Sequence, residues 1–201
     1  MTRRLLATLA ATALLVAGCT ATPTQPATPP SPTAATPDPG PDQATAEFLA
    51  RHQLEGLTPQ QIVETLDASE EDREGGPIGS VRAAELVLSD EQQDVVLALP
   101  EDVFYLAFAP YRETTHDCYN HNLATCRGEL AEEPINVRVV DDAGTALIDQ
   151  QVTTHANGFA GIWLPRGISG TITVSHGTDS ATQPIATGPE DPTCLTTLRL
   201  T

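Results

Sequence analysis

Apolar residues at helical spacing mark two short segments within residues 44–68. In the second segment, Thr58 is followed by Pro59 and then by Gln61, which is the pattern of an N-cap, a first-turn proline and a capping box. Gly56 lies just before this start and ends the first segment. The pattern therefore predicts two amphipathic helices, whose apolar stripes contain Phe48, Leu49, Ile62, Val63 and Leu66.

After a charged, glycine-rich loop at residues 69–80, the period of the apolar residues changes to that of strands. Three runs, ELVLS, DVVLALP and DVFYLAFAPY, are rich in Val, Leu, Phe and Tyr and are bounded by Asp, Pro and Ser. From residue 135 the pattern is wholly β, with a hairpin signal at Asn157-Gly158. We predict an α+β fold, in which helices and a small antiparallel sheet occupy residues 44–133 and an antiparallel β-sandwich occupies residues 134–201.

One stretch of the second region, VVDDAGTALIDQQVTTHANGFAGIWLP, resembles the prealbumin-like modules of many secreted proteins. The resemblance implies a C-terminal prealbumin-like sandwich at residues 134–201. It implies nothing about activity, because one fold can host many functions.

The first residues have the organisation of an export signal. Arg3 and Arg4 form a basic start, an apolar run follows at residues 5–16, and the sequence VAGC ends at Cys19. The apolar run is shorter than the roughly 20 residues that a spanning helix needs, and the combination is typical of a secretory signal peptide. Because VAGC resembles a bacterial lipobox, we predict a signal peptide at residues 1–18 and lipidation of Cys19, which would anchor the protein to the cell membrane. An ordinary cleavage site is the alternative.

Residues 19–43 are dominated by Pro, Thr and Ala and contain almost no bulky apolar side chain. Such a segment cannot bury enough surface to fold, and proline stiffens it. We predict a disordered tether that holds the folded part of the chain away from the membrane.

The net charge of the chain and the motifs that it lacks exclude several classes of function. The chain has a formal net charge of −17 and contains no lysine, so its surface would repel phosphates and we predict no nucleic-acid partner. It also lacks the Gly-x-Ser-x-Gly, phosphate-binding glycine-loop and His-Glu-x-x-His motifs. These observations favour a binding protein over an enzyme.

The chemistry of the chain is concentrated in its cysteines. Cys118 and Cys126 lie eight positions apart in ETTHDCYNHNLATCRGE, with His116 and His121 beside them, and Cys194 lies near the C-terminus. Eight residues rise about 12 Å on a helix and span roughly 26 Å on a strand. The segment must therefore double back if its two cysteines are to share a partner, and a final strand must deliver the third.

Two interpretations of these thiols are open on the residues alone. Oxidising conditions outside the cytoplasm favour a Cys118–Cys126 disulfide with Cys194 left over. An odd number of thiols beside two histidines favours a metal site instead. Three thiolates suit Cu(I), whereas three thiolates with one histidine suit tetrahedral Zn²⁺. Met1 is the only methionine, so thiolate is the soft ligand that this chain offers.

The stretch TTHDCYNHNLATCRGEL, together with the distal PTCLTTLRL, resembles the CueP family of bacterial periplasmic and cell-surface copper-binding, copper-resistance proteins. The similarity extends from about residue 46 to residue 201. One departure is Ala124, where the family pattern has a threonine, and it would alter hydrogen bonding around the site without removing a ligand.

The resemblance implies that the copper ligands are Cys118, Cys126 and Cys194, with His116 and His121 as further ligands or nearby bases. We therefore expect an extracytoplasmic lipoprotein that holds Cu(I) for copper tolerance or for delivery to another extracytoplasmic protein, with zinc as the alternative metal. A thiol-redox protein that reduces Cu(II) or exchanges disulfides is a second possibility. A surface interaction module with a structural disulfide is the third.

The remaining histidines are assigned no ligand role. His155 and His176 each lie beside a predicted turn, and His52 lies in the first predicted helix. We expect all three to be surface or packing residues.

Overall fold

A computed structural model describes residues 42–69 and 76–201. The predicted signal peptide at residues 1–18, the lipidation of Cys19 and nearly all of the predicted tether lie outside the described residues. Residues Gly40–Thr201 belong to one compact unit. Within the part of the chain that is described, no helix is both long enough and apolar enough to cross a bilayer.

Both predicted helices form. The first, α1, spans Gln43–Arg51, and the second, α2, spans Pro59–Asp67. The predicted capping box is confirmed: Thr58 Oγ1 accepts a hydrogen bond from the backbone N–H of Gln61 at 3.3 Å, and Gln61 Oε1 accepts one from the N–H of Thr58 at 2.9 Å. Because this exchange satisfies two of the otherwise unpaired donors of the helix start, the local sequence alone defines where α2 begins.

Strands form the rest of the fold and make three sheets. In the described residues they are β1 Ile78–Val81, β2 Glu85–Ser89, β3 Asp94–Ala98, β4 Val103–Phe108, β5 His121–Asn122, β6 Pro134–Asp141, β7 Ala146–Thr153, β8 Ala160–Pro165, β9 Ser169–His176, β10 Asp179–Ala186 and β11 Cys194–Leu195.

The first sheet carries part of the predicted metal-binding segment on its edge. Its order is β3-β2-β1-β5 and its pairs are antiparallel. The edge strand β5 is only two residues long, and it pairs His121 with Val81 and Asn122 with Ser80. The helices pack against this sheet, since Phe48, Ile62 and the buried residues of β1 and β2 belong to one apolar core.

The second sheet has the order β10-β9-β6-β7, again with antiparallel pairs. In β6 buried and exposed residues alternate, because one face covers a core and the other faces solvent. A turn closed by a hydrogen bond from the N–H of Gly144 to the carbonyl of Asp141 joins β6 to β7, and Gly144 has the positive φ of +85° that glycine adopts without strain.

The third sheet, β11-β4-β8, contains strands from both predicted regions, residues 44–133 and residues 134–201. β4 pairs antiparallel with β8 and parallel with β11. Both faces of β4 are buried: Tyr105 and Ala107 belong to the core beneath the helices, and Phe104, Leu106 and Phe108 belong to the core beneath the second sheet. Because successive side chains of a strand point to opposite faces, alternate residues of β4 enter different cores.

The predicted α+β class is confirmed. The third sheet crosses the predicted boundary between residues 133 and 134, because β4 comes before this boundary and β8 and β11 come after it. The finer assignment of residues 134–201 to a prealbumin-like sandwich stays a prediction.

Candidate metal centre

The C-terminal strand brings Cys194 beside Cys118. β11 lies parallel to β4 with Cys194 opposite Ala107, and the backbone N–H groups of Thr193 and Cys194 donate to the carbonyl of Tyr119 at 2.9 and 3.1 Å. Cys118 and Cys194 form a disulfide, with their Cα atoms 5.6 Å apart. The distal cysteine thus folds back onto the cysteine-rich segment.

A tight turn places Cys126 next to this bridge. The side-chain oxygen of Asn122 accepts hydrogen bonds from the backbone N–H groups of Ala124 and Thr125, each at 3.0 Å, and the N–H of Cys126 donates to the Asn122 carbonyl at 3.1 Å. Asparagine stabilises turns in this way. The chain doubles back, and the Sγ atoms of Cys118 and Cys126 lie 3.5 Å apart.

The disulfide differs from the one considered on sequence grounds, which joined Cys118 to Cys126 and left Cys194 over. In the structure Cys194 is bridged, and Cys126 is the free cysteine of the described residues. The reason lies in the backbone, since the hydrogen bonds between the start of β11 and Tyr119 hold the Cα atoms of Cys118 and Cys194 within the range that a disulfide requires.

His121 is held in one orientation inside the protein. Its backbone N–H donates to Thr193 Oγ1 at 3.0 Å, and that hydroxyl donates to the carbonyl of Val81 at 2.6 Å. Its ring Nε2 donates to Asp67 Oδ1 at 2.9 Å, and both side chains are fully buried. The other ring nitrogen, Nδ1, lies 3.8 Å from Cys194 Sγ. The imidazole therefore presents Nδ1 to the sulfur atoms.

Three residues that support His121 were missed by sequence reasoning. The Tyr105 hydroxyl donates to Asp67 Oδ2 at 2.6 Å, and Asn157 Nδ2 donates to Asp67 Oδ1 at 3.0 Å. Burial, followed by the negative charge of Asp67, raises the pKa of Tyr105 well above its usual value, so that it remains a donor. One signal was available: Asp67 lies four positions after Val63, so a carboxylate falls on the apolar face of α2.

The electrostatics favour an imidazolium beside a thiolate. Burial alone would lower the pKa of His121, but hydrogen bonds to Asp67 and Cys126, with the charges of both, raise it to about 9. Burial would raise the pKa of the Cys126 thiol, but hydrogen bonds from His121 and the Asn122 N–H lower it to about 7. The burial of Asp67 is outweighed by its bond to His121, which lowers its pKa. The lowered pKa favours the thiolate form of Cys126, and the thiolate is the form of cysteine that binds metal ions.

His116 lies on the other side of the sulfur atoms. Its Nε2 atom is buried and has no hydrogen-bond partner among the described residues. The residue lines a surface cavity of about 420 Å³ together with Thr114, Thr125 and Arg127. Because buried polar atoms in native proteins are nearly always bonded, this nitrogen is available to a ligand.

The five predicted ligand residues form two overlapping groups of three. In each group, the candidate ligand atoms lie within 4.8 Å of one another. We call His116, Cys118 and Cys126 the outer group, and His121, Cys126 and Cys194 the inner group. All members of the inner group are buried, whereas Cys118 in the outer group is only half-buried. Cys126 belongs to both groups.

The other histidines lie outside these groups. His52 Nε2 donates to Asp90 at 2.9 Å, and His176 bonds to Glu133 at 3.1 Å and to Arg112 at 2.9 Å. Neither these two nor His155 belongs to a candidate metal group in the described part of the chain.

Comparisons with known proteins agree with the geometry. The family model described as "Periplasmic copper-binding protein CueP" matches residues 61–199. Among solved structures, the chain is similar to "Crystal Structure of S.CueP", with 42% sequence identity and a TM-score of 0.76, over 79% of this chain and 98% of that chain. A comparison with curated proteins finds no match.

Proposed function

The chain belongs to the CueP family of periplasmic copper-binding proteins, and on this premise we propose that it holds one Cu(I) ion on the thiolates of Cys118, Cys126 and Cys194 outside the cytoplasm. The bound ion would be kept from harmful reactions and passed to another extracytoplasmic protein. His121 is the proposed nitrogen ligand of the held ion, and His116, on the solvent side, is proposed as a nearby base or a transient ligand.

The observation that carries this proposal is the gathering of three sulfur atoms around one point. Metal–sulfur bonds of about 2.3 Å allow two sulfurs on one ion to lie at most about 4.6 Å apart. Cys118 Sγ is already 3.5 Å from Cys126 Sγ and bonded to Cys194 Sγ. Only small side-chain movements are therefore needed to bring all three sulfurs to a single ion.

The donor set supports copper in its lower oxidation state. Thiolates are soft ligands and favour Cu(I), which is itself soft. Three thiolates with His121 could also take Zn²⁺ in tetrahedral geometry. The two metals are distinguished by competition, and we expect Cu(I) to displace Zn²⁺ from the reduced protein.

Copper binding at all three sulfurs requires that the Cys118–Cys194 disulfide be reduced. Two electrons and two protons convert the bridge to two thiols. Cys118 is half-buried and Cys194 is buried, so an external thiol would attack Cys118 and release Cys194. The redox state of this pair would then decide whether the site can bind its ion.

The position of the disulfide supports a second candidate function, the reduction of Cu(II). Here the thiols of Cys118 and Cys194 lose two protons and two electrons and form the bridge, while two Cu(II) ions each gain one electron and become Cu(I). The structure would then represent the product state. A thiol donor would be needed to start a second cycle.

The first experiment is an anaerobic Cu(I) titration against a coloured Cu(I) chelator, using fully reduced protein. We expect tight one-to-one binding by the wild type and by the control Thr173→Ser, because Thr173 lies in β9 away from the cysteines. Cys194→Ser removes one of the three thiolates and should weaken the affinity by about 10-fold to 100-fold or more.

Unchanged affinity in Cys194→Ser would remove the distal sulfur from the site and refute the proposal.

Thiol counting tests the alternative function, an interaction module with a purely structural disulfide. If the bridge is purely structural, mild reductant leaves one reactive thiol among Cys118, Cys126 and Cys194. If the bridge is functional, it opens and all three thiols react, and Cu(I) then protects them. For the redox candidate, Cu(I) formation is followed after Cu(II) is added to reduced protein, and Cys118→Ser should abolish it.

We further propose that the protein is exported and lipid-anchored through Cys19. The support is the order of a basic start, an apolar run and the lipobox-like VAGC. Mass spectrometry of the N-terminal peptide from the native host should find a diacylated Cys19, and Cys19→Ala should release the protein from the membrane. An unmodified N-terminal peptide beginning elsewhere would refute the anchor.

A further inference from the structure

We propose that the two groups act in order: the outer group captures the copper ion from solvent, and His116 then leaves as Cys194 and His121 take over. This inference rests on the proposed Cu(I) binding and adds a route to it. Cys118 and Cys126 stay bound throughout, so that the ion is never released between the two positions.

The outer group has the features of a capture position. His116 lines a cavity that opens at the protein surface, and Cys118 is half-buried. His116 Nε2 is buried but has no hydrogen-bond partner in the described part of the chain. A buried nitrogen without a partner has lost the hydrogen bond that water would provide, which costs free energy. A metal ion bound to this nitrogen would offset that cost.

Hydrogen bonds between side chains and backbone groups fix the loop around His116. Thr115 Oγ1 donates to the carbonyl of Thr196 at 2.6 Å, and Glu129 accepts hydrogen bonds from the backbone N–H groups of Glu113 and Thr114 at 2.9 and 2.7 Å. Arg127 donates to the carbonyl of Cys126 at 2.9 Å. The loop is therefore fixed by side chains other than that of His116, whose ring takes no part in these bonds.

The inner group has the features of a resting position. Cys126 and Cys194 are 6% and 2% exposed, and His121 is 0% exposed. The bond from His121 Nε2 to Asp67 fixes the ring so that Nδ1 faces Cys194 Sγ at 3.8 Å. Carboxylates commonly orient metal-binding histidines in this way. An ion here is shielded from water and from competing ligands.

The passage between the positions needs only ligand exchange. Cys194 loses its thiol proton as its sulfur binds, and the His121 imidazolium loses its Nδ1 proton as that nitrogen replaces His116; both protons pass to solvent. No electron is transferred, and copper stays Cu(I). Since each group fits within 4.8 Å and the two share Cys126, the ion moves by a few ångströms.

The test separates the rate of capture from the affinity. Reduced, metal-free protein is mixed anaerobically with a Cu(I)–chelator complex, and the loss of the chelator's colour is followed by stopped flow to its end point. His116→Ala should slow capture by about tenfold or more, the scale on which a lost site contact acts, while the final affinity stays within about threefold of the wild type. The matched control His155→Ala lies outside both groups and should change neither quantity.

X-ray absorption of the loaded proteins provides the second measurement. Wild type and His116→Ala should show the same nitrogen and sulfur neighbours around copper, because His116 has left in the resting state. An unchanged capture rate in His116→Ala would overturn the inference, and so would an affinity that falls as much as the rate, with a nitrogen neighbour lost. If the wild type takes no Cu(I) from the chelator, the proposed function itself fails, which is a separate result.

Discussion

Replacing Asp67 by asparagine removes a buried negative charge while keeping the shape of the side chain. In the native protein Asp67 accepts hydrogen bonds from His121, Tyr105 and Asn157 at 2.9, 2.6 and 3.0 Å. The side chains of Asp67 and His121 are both fully buried. Without the carboxylate, burial disfavours the charged imidazole, and His121 becomes neutral on folding.

The expected loss of stability follows from the pKa of His121, which rises from 6.5 to about 9 in the folded protein. A raised pKa stabilises the fold fully below 6.5, and this contribution disappears as the pH rises through about 9. Asp67 has a lowered pKa, so its contribution is present above its ordinary value and disappears in acid. At pH 6 the shift corresponds to about 3 kcal/mol, or roughly 100-fold in the unfolding equilibrium.

Urea unfolding of the disulfide-intact proteins measures this effect. Asp67→Asn should lose up to about 3 kcal/mol at pH 6 through the charge of His121, because Asp67 shares with Cys126 the effect that raises this pKa. This part of the loss should fall below about 1 kcal/mol at pH 9. The control Asp149→Asn breaks an exposed ion pair with Arg138 and should cost less than about 1 kcal/mol at either pH. An Asp67→Asn penalty as small as that of the control at pH 6, or one that is unchanged at pH 9, would refute the reasoning.

Two further substitutions test how the site is supported. Thr193→Val removes the hydroxyl between the His121 N–H and the Val81 carbonyl and should cost about 2 kcal/mol in urea unfolding, since both groups are left buried and unpaired; a cost near zero would contradict this. Gly128→Ala should cost about 1–3 kcal/mol of stability and so lower the melting temperature, because a Cβ atom there would overlap the Gly158 carbonyl. An unchanged melting temperature would mean that the two backbones separate without cost.

Features that depend on neighbouring residues could be predicted. The capping box of α2 was identified because Thr58 and Gln61, which bond to each other's backbone, are only three positions apart in the sequence. Parallel pairing of β11 with β4 left no sequence signal, because these strands are far apart in the chain and β11 has only two residues. The alternation of β4 between two cores was also hidden, since a strand with two buried faces is apolar throughout.

The same distinction applies to the site. The cysteines and the nearby histidines were recognised because His116, Cys118, His121 and Cys126 are clustered in sequence. The disulfide partner of Cys118 could not be derived, since it depends on where the last strand lies. Asp67 was missed because the end of a helix meets His121 only through tertiary packing.

The position of β11 has a consequence for how the chain folds. Cys194 and Cys118 are 76 positions apart, so their pairing closes a long loop and costs more chain entropy than a local contact does. Folds that depend on long-range contacts of this kind form slowly. A chain cut before Cys194 lacks the disulfide partner of Cys118, and under the proposed function it would also lack one of the three thiolate ligands.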